Sequence, residues 1–194
     1  MLKKSLSYAA VAAFIGLAAP DTAAANEYES QIRDLFEQRL QTWLQSPVLI
    51  EAIRKQNVDH ARLTDADIDV MDKDWRKQAK NGGGPLINGV LRRDASTYLS
   101  DRKNETGDLI TEVFVMDNRG LNVAASDATS DYMQGDEAKW KNTYARGAGQ
   151  VFVDEVEFDD SSDTFQSQVS ATIVDPASGK AIGAVTFGIN VEEL

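Results

Sequence analysis

Four residues in one short stretch carry side chains suited to holding a small molecule: Tyr132, Lys139, Trp140 and Tyr144. Aromatic walls with a few placed polar groups are what small-ligand pockets need. Lys139 can pair with a carboxylate, and Tyr132 can donate a hydrogen bond. The same aromatics can equally plug the open face of a sheet, because pocket and core compositions overlap. Such a constellation recognises a ligand and makes no bonds.

Covalent and metal chemistry have weaker footholds. His60 is the only histidine, and the chain has no cysteine, so a zinc site lacks its ligands. No G-x-S-x-G elbow accompanies His60, which is expected at the surface near a helix end. Phosphate loops of the G-x-x-x-x-G-K type are absent. Asp65, Asp67 and Asp69 mimic the start of a calcium loop. That loop needs Gly at its sixth position and Glu at its twelfth, where this chain has Val70 and Arg76. The acids around Asp154, Glu155, Glu157, Asp159, Asp160 and Asp163 offer hard oxygen ligands. Carboxylates also crowd turns, and a solvated hairpin tip is the simpler reading. No metal, cofactor or catalytic residue is expected.

The elements that must position the four residues fall into two regimes. Tyr28, Ile32, Leu35, Phe36, Leu40, Trp43 and Leu44 recur at steps of three and four, predicting an amphipathic helix over 27–44. Ser46-Pro47 opens a second helix to about Asn57. Thr64 with Asp67 reads as a partial capping box for a third helix buried through Ile68, Met71 and Trp75. After Asn81-Gly-Gly-Gly-Pro85 a fourth helix is predicted over 86–102.

Period two takes over beyond Gly107. Strands are predicted over 110–116, 121–126, 150–158, 164–174 and 181–190, with Asp117-Asn-Arg-Gly120 as a tight turn. The stretch 127–144 reads as a loop with one or two short helices. Gln166, Gln168 and Ser170 make one face of the fourth strand polar, facing either water or a pocket, and the base rate for antiparallel sheets points to water. Helices first and strands after argue an α+β fold, with a five-stranded antiparallel meander carrying an insert between its second and third strands.

Targeting and charge bound the setting. Met1-Leu-Lys-Lys, an apolar stretch from Tyr8 to Ala19 and Ala23-Ala-Ala25 describe a secretory signal peptide over 1–25. The apolar stretch is shorter than the ~20 residues of a spanning helix. Cleavage after Ala25 leaves one domain over 26–194, periplasmic or secreted, soluble, and not inserted in a membrane. The net charge is −11, which repels phosphate backbones and excludes nucleic acid as a partner.

At these residues the chain resembles the periplasmic sensor domains of the Cache (PDC) superfamily, which are PAS-like. The resemblance is carried by the long N-terminal helix, Glu112-Val-Phe-Val-Met-Asp117, Gly120-Leu-Asn-Val, the insert from Ser126 to Trp140, and the closing Gly179-Lys180, Ile182-Gly183 and Gly188-Ile189-Asn190-Val191. It implies a PAS-like five-stranded antiparallel sheet preceded by long helices, with a ligand enclosed between sheet and insert. It also implies signalling, here from a stand-alone domain through a separate membrane sensor or transport partner. Amino-acid-binding members carry an arginine between aromatics in the insert and an Asp in the last strand. This insert has no arginine between Asp127 and Tyr144, and the late position is Asn190. Those departures favour a small carboxylate as ligand. Two other readings stay open: a structural or interaction protein with a filled pocket, and a periplasmic hydrolase. The pattern defines no oligomeric state.

Overall fold

The change from helical spacing to period two marks the boundary between two layers. The computed structural model describes residues 26–159 and 163–194; the signal-peptide reading over 1–25 lies outside them. The helical layer comprises α1 (Glu29–Gln38), a 3-10 helix (Leu40–Gln45), α2 (Pro47–Asp59), α3 (Asp65–Lys80), α4 (Pro85–Leu91) and α5 (Asp94–Asn104). The sheet comprises β1 (Ile110–Met116), β2 (Asn122–Ala125), β3 (Val151–Asp159), β4 (Thr164–Val174) and β5 (Ala181–Asn190). Between β2 and β3 runs the insert, with the short helix α6 (Ala138–Lys141) and a 3-10 turn at Tyr144–Arg146. The fold is α+β, helices followed by a five-stranded antiparallel sheet.

The sheet is not the simple meander expected. Its order is β2-β1-β5-β4-β3, so β2 and β3 form opposite edges and the insert carries the chain from one to the other. The central places go to strands whose residues are buried on both faces, above all β5, which is buried continuously from Gly183 to Asn190. The edges are a four-residue β2 and a β3 studded with Asp154, Glu155 and Glu157. Short or charged edges discourage pairing with another chain.

Alternation decides what each face meets. Val113, Val115, Val169, Ala171, Ile173, Val185, Phe187 and Ile189 point into the main core with α1, α2 and α5. There Phe187 meets Phe36 and Trp43 edge-on, with ring centroids 6.3 and 5.5 Å away. The opposite face holds Phe114, Met116 and Ala184, covered by Leu91, Trp140 and Tyr144.

Two predicted helices are broken. The first leaves α-geometry at Arg39 (φ −127°, ψ −55°) and continues as a 3-10 turn. Residues i and i+3 eclipse in that geometry, which turns Leu40 and Trp43 onto the sheet together. The fourth divides at Arg93, which adopts an extended conformation (φ −69°, ψ 148°). Its guanidinium then donates to Gln56 Oε1 at 2.6 Å and to the Val123 carbonyl at 2.7 Å. By contrast, the capping box at Thr64 and Asp67 forms in full, and Ile68 and Trp75 are buried as the stripe requires.

Candidate functional site

The insert is held to the body of the protein before it offers anything to a ligand. Asp72 on α3 accepts the backbone N–H groups of Tyr132 and Met133 at 2.9 and 3.0 Å. Arg76 bridges Asp72 and Asp131 at 2.6 and 3.0 Å. The indole of Trp75 donates to the Thr129 carbonyl at 2.8 Å. On the other side the Gln134 N–H donates to the Gly120 carbonyl at 2.7 Å, which docks the insert on the β1–β2 turn.

This anchoring places Tyr132 in the core. Its ring stacks on Trp75 with centroids 5.3 Å apart, among Ile68, Ile87, Val90 and Leu121, and it is 1% exposed. It lines neither of the cavities described below. Burial pushes its phenol up to about 12. A phenol protonated in the fold and free to ionise on unfolding near 10 contributes stability that is complete below pH 10. That contribution is lost as pH rises through 12, in total about 3 kcal/mol at ~1.4 kcal/mol per pKa unit. Urea unfolding between pH 9 and 12 is therefore expected to show a steeper alkaline loss in the wild type than in Tyr132→Phe. Superimposable curves would remove this role.

Trp140 and Tyr144 are brought together, with ring centroids 5.1 Å apart. They cover Phe114, Met116, Ala125 and Ala184 on the outer sheet face, and the Trp140 indole donates to the Asp117 carbonyl at 3.3 Å. Burial pushes the Tyr144 phenol up as well. Lys139, next to them, is the member of the four that borders open space. Its ammonium lies 2.8 Å from the Glu137 carboxylate and 5.5 Å from the centre of the Phe114 ring.

The open space lies over the polar face of β4. A cleft of about 610 Å³ is lined by Ile87, Asn88 and Leu91 of α4, Ser130 of the insert, and Glu112, Gln166 and Gln168 of the sheet. A second cavity of about 310 Å³, lined by Glu137, Lys139, Asp154, Glu155 and Glu157, shares Gln166 and Gln168 with the first. The polar face thus meets a pocket, against the expectation of water, because α4 and the insert overhang it. Ser170 and Thr186, deeper on the same face, are fully buried and hydrogen-bonded to each other at 2.9 Å.

Glu112 is the residue that sequence reasoning missed. It is the polar member of an otherwise apolar face that continues with Phe114 and Met116, inside a strand that reads as mostly apolar. The only available signal is that parity. Gln168 Nε2 donates to Glu112 Oε1 at 2.9 Å, and the Thr111 hydroxyl donates to Gln166 Oε1 at 2.5 Å. Burial pushes the Glu112 carboxyl above the usual carboxylate range, against the pull of the Lys139 charge and the Gln168 hydrogen bond. Gly188 makes room for this floor: a Cβ there would lie 2.3 Å from Thr111 Oγ1, 2.7 Å from Gln166 Oε1 and 2.9 Å from Glu112 Cγ.

His60 is not the surface residue expected. At the end of α2 its Nδ1 lies 3.2 Å from Oδ2 of the fully buried Asp117. Among the described residues no group of three or more His, Cys, Asp or Glu is arranged to hold a metal. The centre of the acidic β3–β4 hairpin, 160–162, lies outside them. No helix among the described residues is long and apolar enough to cross a membrane.

No family model and no curated protein matches the sequence. Solved structures do match. The sensor domain of the Vibrio cholerae histidine kinase DctB is 12% identical, with 86% of this chain and 58% of that one covered and a TM-score of 0.35. The ligand-binding domain of the Campylobacter jejuni chemoreceptor Tlp3, in complex with L-valine, is 15% identical, with 86% and 62% covered and a TM-score of 0.39. An extracellular ligand-binding receptor from Desulfohalobium retbaense is 14% identical, with 79% and 25% covered and a TM-score of 0.37. The chain spans less than two thirds of the length of each. These solved structures are a histidine-kinase sensor domain, a chemoreceptor ligand-binding domain and an extracellular ligand-binding receptor.

Proposed function

We propose that this chain is an exported, non-catalytic sensor domain that binds a small organic molecule in the cleft between the polar sheet face and the insert. The supporting observation is the floor of that cleft. Glu112, Gln166 and Gln168 are polar side chains brought together under an overhang whose apolar part includes Ile87 and Leu91, and convergent polar groups beside apolar surface suit a small ligand. Of the four residues singled out by sequence, Lys139 is proposed to border the site from the smaller cavity. Tyr132, Trp140 and Tyr144 are proposed to hold the wall.

The signal would leave through α1. Asn26, just ahead of α1, donates to the Asp154 carbonyl at 2.6 Å and to Ser167 Oγ at 2.9 Å, so the acidic wall of the smaller cavity is tied to the start of the helix. Differential contacts in the liganded and unliganded states would shift that helix against a separate membrane sensor or transport partner. Cleavage after Ala25, a single domain over 26–194 and a periplasmic or secreted location belong to the same proposal. The rival reading, an interaction protein with a self-filled pocket, draws on the way Trp140 and Tyr144 plug the sheet next to the cleft.

A thermal-shift screen of small acids, amines and polyols tests the proposal. A ligand at 100 times its Kd stabilises by about 2.7 kcal/mol, or roughly 5–11 °C for a chain of this size. Gln168→Leu is expected to abolish the shift while leaving the unliganded protein folded. A panel without any stabiliser, or a shift indifferent to Gln168→Leu, would favour the filled-pocket reading.

A further inference from the structure

Resting on that reading, we infer that the ligand is an organic amine, held as its ammonium ion with Glu112 as the counter-ion. The lining of the larger cavity contains Glu112 and Asp159 and, among the described residues, no lysine or arginine. The smaller cavity contains one cation, Lys139, against Glu137, Asp154, Glu155 and Glu157. Glu137 already pairs with that lysine at 2.8 Å, which weakens the feature that made a carboxylate ligand attractive. Asp154, Glu155 and Glu157 form no ion pair among the described residues. A ligand carboxylate would therefore enter a wall of like charge, whereas an ammonium ion would enter one of opposite charge.

Glu112 is placed to be the anchor. Oε1 accepts from Gln168, and Oε2 accepts no hydrogen bond from any described residue, so one acceptor remains on a carboxylate that lines the cleft. An ion this enclosed is costly unless paired, and an ammonium group supplies both the charge and the donor. Ile87, Leu91 and Ala79 on the α4 side give an alkyl or aryl body an apolar surface. An inorganic divalent cation fits less well, since it needs six or more oxygens converging on one point.

The test uses four-carbon probes that differ in charge: 1,4-diaminobutane, 1-aminobutane, butane-1,4-diol and succinate, with calcium chloride as a fifth arm. Binding is followed by calorimetry and by the NMR signals of the Gln166 and Gln168 side-chain amides. The amines are expected to bind and to move those amides. Glu112→Gln is expected to weaken amine binding by about tenfold or more, the scale of one charge-assisted hydrogen bond. Lys139→Met, which removes the competing cation, is expected to tighten it. The two variants act in opposite directions, so failure of either to fold leaves the other decisive. Succinate or the diol moving the amides when the amines do not would overturn the amine inference and leave the sensor reading standing. A calcium response lost in Glu112→Gln, without an amine response, would overturn it too. Amides unmoved by all five probes and by every member of the wider panel would overturn both.

Discussion

Replacing Asp117 by alanine is expected to destabilise the protein by about 3–5 kcal/mol, a loss of roughly 6–20 °C in Tm for a chain of this size. The carboxylate is fully buried. Its Oδ1 accepts the backbone N–H groups of Arg119 and Leu121 at 2.8 and 2.9 Å, and its Oδ2 accepts Gln56 Nε2 at 3.0 Å. Alanine would leave the Arg119 and Leu121 N–H groups without their acceptor, each orphan costing about 1–3 kcal/mol, while Gln56 Nε2 keeps the Leu121 and Asn122 carbonyls. The 2.6 Å bond from Arg93 to Gln56, which joins the α4–α5 break to α2, should persist. Asp117→Asn should fall between the two, since one acceptor survives while its amide faces the Gln56 amide, donor against donor. Urea unfolding of the three proteins decides the matter. A loss under about 1 kcal/mol for alanine would show that water, and not this network, satisfies the turn.

This network explains much of what the sequence leaves illegible. Asp117 reads as a turn residue and His60 as a surface histidine, because each is polar in a polar local context. Their meeting depends on α2 crossing the end of β1, and no local pattern encodes that. Strand extents are better expressed: β1, β4 and β5 begin and end where alternation predicts, since each has one face committed to the helical core. Strand order is a matter of distant pairing. β1 lies beside β5 through partners such as Val113 and Phe187, and a period-two pattern says which side is buried but not which neighbour is chosen. The helix breaks at Arg39 and Arg93 carry no Gly or Pro signal. They arise because burying Trp43 and satisfying Gln56 outweigh continuous helix. The same limit applies to the site. Aromatic residues in the insert announce burial without saying against what, so Tyr132 is core while the cleft floor includes Glu112, the one charged residue of a mostly apolar strand.

Gly120→Ala is the second large effect expected, and its interest lies in where the damage appears. Gly120 has φ +78°, and a Cβ there would stand 2.3 Å from Cα and 2.4 Å from N of Gly135. Two costs coincide: left-handed backbone, on the order of 1–2 kcal/mol for a residue with a side chain, and a collision with backbone that cannot turn aside, about 1–3 kcal/mol. Gly179 supplies the control. It shares the left-handed conformation, φ +68°, but a Cβ there meets nothing within 4 Å, so Gly179→Ala should show the first cost alone. The excess at Gly120 measures the contact between the β1–β2 turn and the insert. Because the Gln134 N–H donates to the Gly120 carbonyl, relief of the collision means lifting the insert off the turn. Limited proteolysis within 126–150 should then speed up, and Trp140, which rides on the insert, should become more accessible to quenchers, while the helical core stays intact. Equal stability losses at the two glycines, with an unchanged cleavage rate, would show that the insert is held by α3, through Asp72, Trp75 and Arg76, and by Asn122, without help from the turn. In that case ligand-driven movement would have to pivot about α3 and the start of β2.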